Sequence, residues 1–308
     1  ANVDPADYGA FWNQRKRWEL LILAQVVALL AIIVSILRWR RLVTYFEIQF
    51  STQEALRLGF LGYLMNFVAL GSVGGDFFKA ILVARQRPEA IASVLLDRAL
   101  GLLGLILLAW MAIFVFGDES LPRIFVVIGH AAGALSAVSI ASLLFAVYAG
   151  KWLDPWISWA ERRLRWIGPI LARMARAVRL LKKTPSAIPV LMLSSIVVHG
   201  MLTYCVCLVS WGVYPDSPNL KQHFIVVPSG MAAGAIPLTP GGVGIQEGAM
   251  VGLFQNLPSL PESYSPVLVA TIYRLITLVI AGVGLGYYIA SHGRQLQELR
   301  IARGEAEI

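Results

Sequence analysis

The sequence predicts an all-α polytopic membrane protein arranged as an inverted-topology repeat with two re-entrant broken-helix hairpins. Three observations carry this. Of the 308 residues, 57% are hydrophobic and only 14% charged, whereas a soluble domain carries about a quarter charged residues. Apolar runs long enough for a hydrocarbon core of roughly 30 Å recur along the chain. Two glycine-rich interruptions also fall in corresponding places of two similar units.

Residues 1–19 read as an N-terminal interfacial segment. The first unit covers 20–116. It opens with a span ending at Leu37, before the basic cluster Arg38, Arg40 and Arg41. Residues 42–57 read as an interfacial helix. A hairpin over 58–86 is broken at Gly71-Ser72-Val73-Gly74-Gly75-Asp76, and a second span over 89–116 contains Asp97 and Arg98. A connecting span covers 123–149.

Residues 151–183 carry many basic residues among apolar ones at near-helical spacing, including Trp152, Trp156 and Trp159. They read as basic amphipathic helices at the cytoplasmic interface. The second unit covers 187–290: a span, a hairpin over 224–257 broken at Pro237-Leu238-Thr239-Pro240-Gly241-Gly242-Val243-Gly244, and a span over 265–290 containing Arg274. Residues 291–308 read as a polar tail.

If neither hairpin crosses, each unit crosses twice and the connecting span a third time, which inverts the second unit, as in many secondary transporters. The net charge of +8 flanks apolar spans, which points to anionic lipid headgroups and away from nucleic acid. Basic residues place 151–183 inside but leave the orientation of the first span open. The expected location is the bacterial cytoplasmic (inner) membrane, and an oligomer is possible. Cys205 and Cys207 stand two apart on one helix and cannot face each other, so they read as packing residues. The four histidines show no metal-ligand spacing. No nucleotide loop or nucleophile motif is visible, so the expectation is a protein that is not an enzyme and needs no metal or cofactor.

Arg98 and Arg274 lie nine to ten residues into their spans, roughly 13–15 Å deep at 1.5 Å per residue. An arginine at that depth costs at least about 2.5–3.5 kcal/mol unless it meets a partner or a polar cavity. Its planar fork suits a phosphate. A binding role for both competes with a structural one, in which Asp76 pairs with Arg98 and Glu247 with Arg274. Gly74, Gly242 and Gly244 would let a ligand approach the backbone, and the half-helices beginning there would aim N–H groups at an anion. The alternative for the glycines is a tight helix crossing. Asn66 is an intramembrane amide that braces the hairpin or touches ligand, and Lys79 is a cation at the inner mouth.

The stretch from Gly71 to Ala80, the Ala92-Ser93-Val94-Leu95-Leu96-Asp97-Arg98 that follows, and Pro237 to Gly248 together resemble the lysylphosphatidylglycerol synthase transmembrane (flippase-like) family, the membrane half of multiple peptide resistance factor proteins. The resemblance covers roughly residues 20–290. It implies translocation of a lipid between leaflets, with a site near Asp76, Lys79, Arg98, Glu247 and Arg274. Leu70 stands where that family has proline before the first break. The chain ends soon after the last span, so an aminoacyl-transferase domain and aminoacyl-lipid synthesis are not expected. The expected partner is an anionic phospholipid or a polyprenyl-phosphate-type lipid. The competing readings are a non-transporting scaffold or regulatory subunit with structural Arg–carboxylate pairs, and a membrane enzyme acting on a lipid phosphate.

Overall fold

The computed structural model describes residues 15–68, 79, 91–164, 168–235, 239 and 242–304. All regular elements among them are helical. They are α1 (Trp18–Tyr45), α2 (Thr52–Val68), α3 (Ile91–Phe116), α4 (Arg123–Tyr148), α5 (Gly150–Arg163), α6 (Gly168–Leu180), α7 (Ala187–Val213), α8 (Leu220–Gly234), α9 (Ile245–Gln255) and α10 (Pro266–Gly304). Five of them, α1, α3, α4, α7 and the first 25 residues of α10, are long and apolar enough to cross a membrane. They coincide with the five spans expected from sequence. Their outer faces carry large apolar side chains in the open, Phe114 at 77% and Leu193 at 62% exposure among them. Such a surface is stable against lipid and not against water.

Packing relates the two units reciprocally. The first spans, α1 and α7, form the most extensive helix pair in the molecule. The hairpin helix α2 leans on α10, the second span of the other unit, while α8 leans on α3. Each unit thus supports a helix of its counterpart. Small residues allow the closest approaches. A Cβ at Gly104 would stand 2.3 Å from Ser195 Cβ, across the α3–α7 contact. A Cβ at Gly230 would stand 2.3 Å from Met250 Cγ, between the hairpin arms. Gly104→Ala is therefore expected to lower stability by about 1–3 kcal/mol, the range for overpacking. Gly200→Ala, with nothing within 4 Å, should stay within about 0.5 kcal/mol. Thermal unfolding of the detergent-purified protein reads both, and equal effects would refute the close approach.

The first span departs from expectation. Helix α1 does not end at Leu37 but runs through the basic cluster to Tyr45, because Ile36, Trp39, Leu42 and Val43 continue its buried face. The interfacial helix expected over 42–57 is instead the end of α1, a turn and the start of α2. That turn contains Glu47 at φ 62°. It is pinned by Trp39 against Phe50, edge to face at 5.0 Å, and by Arg40 Nε donating to the Phe50 carbonyl at 3.0 Å. At the other end of the chain α10 continues past residue 290 to Gly304, where a short polar tail was expected.

Helix α4 stands at the periphery, against α3 and α6. In the turn before it, the Ser120 hydroxyl and N–H both donate to Asp118 Oδ1, at 2.5 and 2.9 Å. These bonds hold the Asp118 carboxyl below the usual carboxylate range. Helices α5 and α6 pack on each other, joined by an ion pair of Arg179 and Asp154 at 2.6 Å. They leave Trp152, Trp156 and Trp159 exposed along α5.

The second hairpin is fastened by a buried polar chain. The Asn219 carbonyl can only accept, so His223 Nδ1 donates to it at 2.9 Å. Nε2 then accepts from the Ser210 hydroxyl at 2.7 Å, which in turn accepts from the Tyr264 hydroxyl at 2.9 Å. Every polar atom of the chain is used, which is what a buried network requires. Cys205 and Cys207 are free and buried, consistent with their packing role.

Candidate functional site

The second glycine-rich stretch is a true interruption. Helix α8 ends at Gly234 and α9 begins at Ile245. Gly242 and Gly244 lie between them at φ +69° and +86°. Both values lie in the left-handed region that glycine enters without a Cβ clash. Gly242 presses on the Gly234 carbonyl, where a Cβ would stand 2.8 Å away. Glu247, in the first turn of α9, accepts the Gly244 N–H at Oε2, 2.7 Å. The helix terminus is thus capped by the chain's own carboxylate. The other oxygen, Oε1, accepts from Arg274 Nε on α10 at 2.6 Å, and Arg274 Nη2 joins the same ion pair. One carboxylate ties the break to the last span, and both partners are largely buried, at 13% and 18% exposure.

Arg274 also lies over the Phe67 ring, its Cζ 5.8 Å from the centroid, which places it across the gap between α10 and α2. That gap opens into a cavity of about 280 Å³ inside the bundle. Every inner helix contributes to its wall. Arg38 comes from α1; Tyr63 and Asn66 from α2; Asp97 and Arg98 from α3; His199 from α7; Gln246 from the start of α9; Tyr273 and Arg274 from α10. Lys79 completes the wall. Its stem crosses Gly62, where a Cβ would stand 2.2 Å from Lys79 Cε, and its ammonium lies 5.6 Å from the Trp39 ring. Arg98, Arg274, Lys79 and Asn66, singled out from separate stretches of sequence, therefore face one chamber. Glu247 stands behind Arg274. Gly242 and Gly244 belong to the break and are absent from the chamber wall. Asp76 and Gly74, with the whole first glycine-rich stretch, lie outside the described residues.

Among the chamber residues that the sequence does not single out are Arg38 and His199. Arg38 reads there as part of a solvated basic cluster, but its side chain is only 5% exposed. Its Nε donates to Asp97 Oδ1 at 2.9 Å, Nη1 to the Ser195 hydroxyl at 2.6 Å and Nη2 to the Asp97 carbonyl at 3.4 Å. Asp97 turns away from its neighbour Arg98, as expected of adjacent helix positions, and its partner is on α1. The signal for Arg38 was the 3–4 spacing of Ile36, Trp39, Leu42 and Val43, which carries the helix past it. In the sequence His199 is one of four scattered histidines. Its Nε2 stands 3.1 Å from the Gly101 carbonyl, bridging α7 and α3.

These features define a class: an integral membrane protein whose helices enclose a polar, cation-rich chamber. Residues 3–284 match the lysylphosphatidylglycerol synthase transmembrane-region family, and the chain belongs to that family. Membership ties it to lipid modification or translocation at a membrane. A search of curated proteins finds no match.

Proposed function

We propose that the protein translocates an anionic phospholipid, or a lipid-linked phosphate of the polyprenyl-phosphate type, between leaflets without altering it chemically. The observation that supports this reading is the gathering of Arg38, Lys79, Arg98 and Arg274 around one intramembrane chamber. Cations inside a membrane bundle carry an insertion cost, which Asp97 and Glu247 offset for Arg38 and Arg274. An anionic headgroup drawn in from the leaflet offsets it through charge-assisted hydrogen bonds. The volume suits a headgroup, with the acyl chains remaining in lipid. In this reading the two hairpins are re-entrant and enter from opposite sides of the membrane. The protein resides in the bacterial inner membrane.

Two ion pairs, Arg274–Glu247 and Arg38–Asp97, favour a second reading, a scaffold whose arginines serve only the fold. Reconstitution separates the two. Liposomes holding the wild-type protein should move a labelled anionic phospholipid or polyprenyl phosphate across the bilayer. Arg98→Ala should slow this by about ten-fold or more, the effect of losing one charge-assisted contact of about 1.5–3 kcal/mol. Liposomes in which neither lipid moves leave the scaffold reading standing.

A further inference from the structure

We infer that helix α5 is a docking surface for the anionic headgroups of the inner leaflet, a lipid site outside the chamber. The inference does not depend on translocation. The sequence predicts interfacial helices over 151–183, and the two that form there have different surroundings. Helix α6 is walled in by α3, α4 and α5. Its Ala172 and Val178 are buried, and Val178 shares a core cluster with Leu42 of α1, Leu96 of α3 and Leu191 of α7. Helix α5 rests on α6, and among its described side chains only Ala160 is buried. Trp152, Trp156 and Trp159 stand 79%, 71% and 52% exposed. Their i, i+4, i+7 spacing places them along one stripe of the helix. Three bare indoles in a row are unfavourable against water and mark a surface that meets a partner.

Depth, side-chain chemistry and charge identify that partner as lipid. Only Ala149 separates Tyr148, the end of α4, from Gly150, the start of α5. Helix α4 has 26 residues, about 39 Å at 1.5 Å per residue. That length crosses a hydrocarbon core of roughly 30 Å and ends among headgroups, so α5 starts at headgroup depth. Tryptophan settles at this level, with its ring at the acyl boundary and its N–H in the wet layer. Arg162 and Arg163 close the last turn of α5, and Arg173 is exposed on α6. Lipid phosphates complement all three. Asp154 is taken up by Arg179 at 2.6 Å, and Glu161 alone does not cancel the three arginines.

The test reads tryptophan emission of the full chain in phosphatidylcholine vesicles that carry a minor share of brominated lipid. The brominated lipid is either phosphatidylcholine or phosphatidylglycerol, with bromine at shallow acyl positions. Subtracting the emission of Trp152→Phe/Trp156→Phe/Trp159→Phe from that of the wild type isolates the three α5 indoles. Both brominated lipids should quench that difference, and the anionic one should quench it more. A basic residue near an anionic surface enriches anionic lipid by about five-fold, the factor for about 1 kcal/mol. The variant Arg162→Gln/Arg163→Gln/Arg173→Gln should therefore lose the anionic preference while quenching by brominated phosphatidylcholine persists. If the triple phenylalanine variant does not fold, Trp156→Phe, subtracted in the same way, gives the answer from the central ring. Indoles quenched by aqueous iodide and by neither brominated lipid overturn the docking. So does a bromine-insensitive signal in a preparation that runs as a dimer, which would put a second copy on the face. Equal quenching by the two lipids in the wild type, or a preference that survives in the glutamine variant, overturns the selection of anionic headgroups.

Discussion

Arg274→Ala is expected to abolish lipid translocation and to cost about 3–5 kcal/mol of stability, because it leaves Glu247 charged and without its partner inside the bundle. Glu247 Oε1 receives Arg274 Nε at 2.6 Å while Oε2 receives the Gly244 N–H at 2.7 Å. The deletion therefore loosens the last span and the break together. The double variant Arg274→Ala/Glu247→Ala removes both charges and should recover part of the lost stability, since residues in direct contact are not additive. Translocation is the discriminating readout. A guanidinium that also receives the lipid phosphate is missing from both variants, so neither should move lipid. If the double variant regains stability and transport together, the pair is structural and the chamber works without Arg274. Thermal unfolding and the liposome assay, run on the same preparations, give both answers.

Arg38→Ala should be of similar size in stability, about 3–5 kcal/mol, since it strands Asp97 at a side-chain exposure of 15%. Arg38→Lys keeps the charge but not the fork that serves Asp97 and Ser195 at once. It should retain part of the stability. Arg41→Ala, three residues along and exposed, should change stability by no more than about 0.5 kcal/mol. A melting temperature lowered equally by Arg38→Ala and Arg41→Ala would place Arg38 back in the solvated cluster that the bare sequence suggests.

That contrast shows where sequence is informative. The five spans are legible because hydrocarbon demands long apolar runs. Arg98, Arg274 and Lys79 are legible because a cation in an apolar run is rare enough to mark a cavity. Arg38 is hidden by the same rule. It lies where hydropathy falls and basic neighbours accumulate, and a window average cannot show that the helix keeps its buried face for two more turns. His199 is hidden for another reason. A histidine in a span has no spacing partner to announce it, and its contact is the Gly101 carbonyl, 98 residues away in sequence. The break after Gly234 is legible from its prolines and glycines. That Glu247 closes both the break and the last span is visible only once α9 and α10 are side by side.

The reciprocal seating of the hairpins has a consequence for biogenesis. Helix α2 leaves the ribosome early, yet the surface it rests on belongs to α10, the last to be made. Between those moments Asn66 and Tyr63 face a chamber with one wall absent. The nascent first half therefore lacks a packing surface for α2 until α10 is made. A ribosome stalled before residue 266 should yield a product that is inserted but readily degraded.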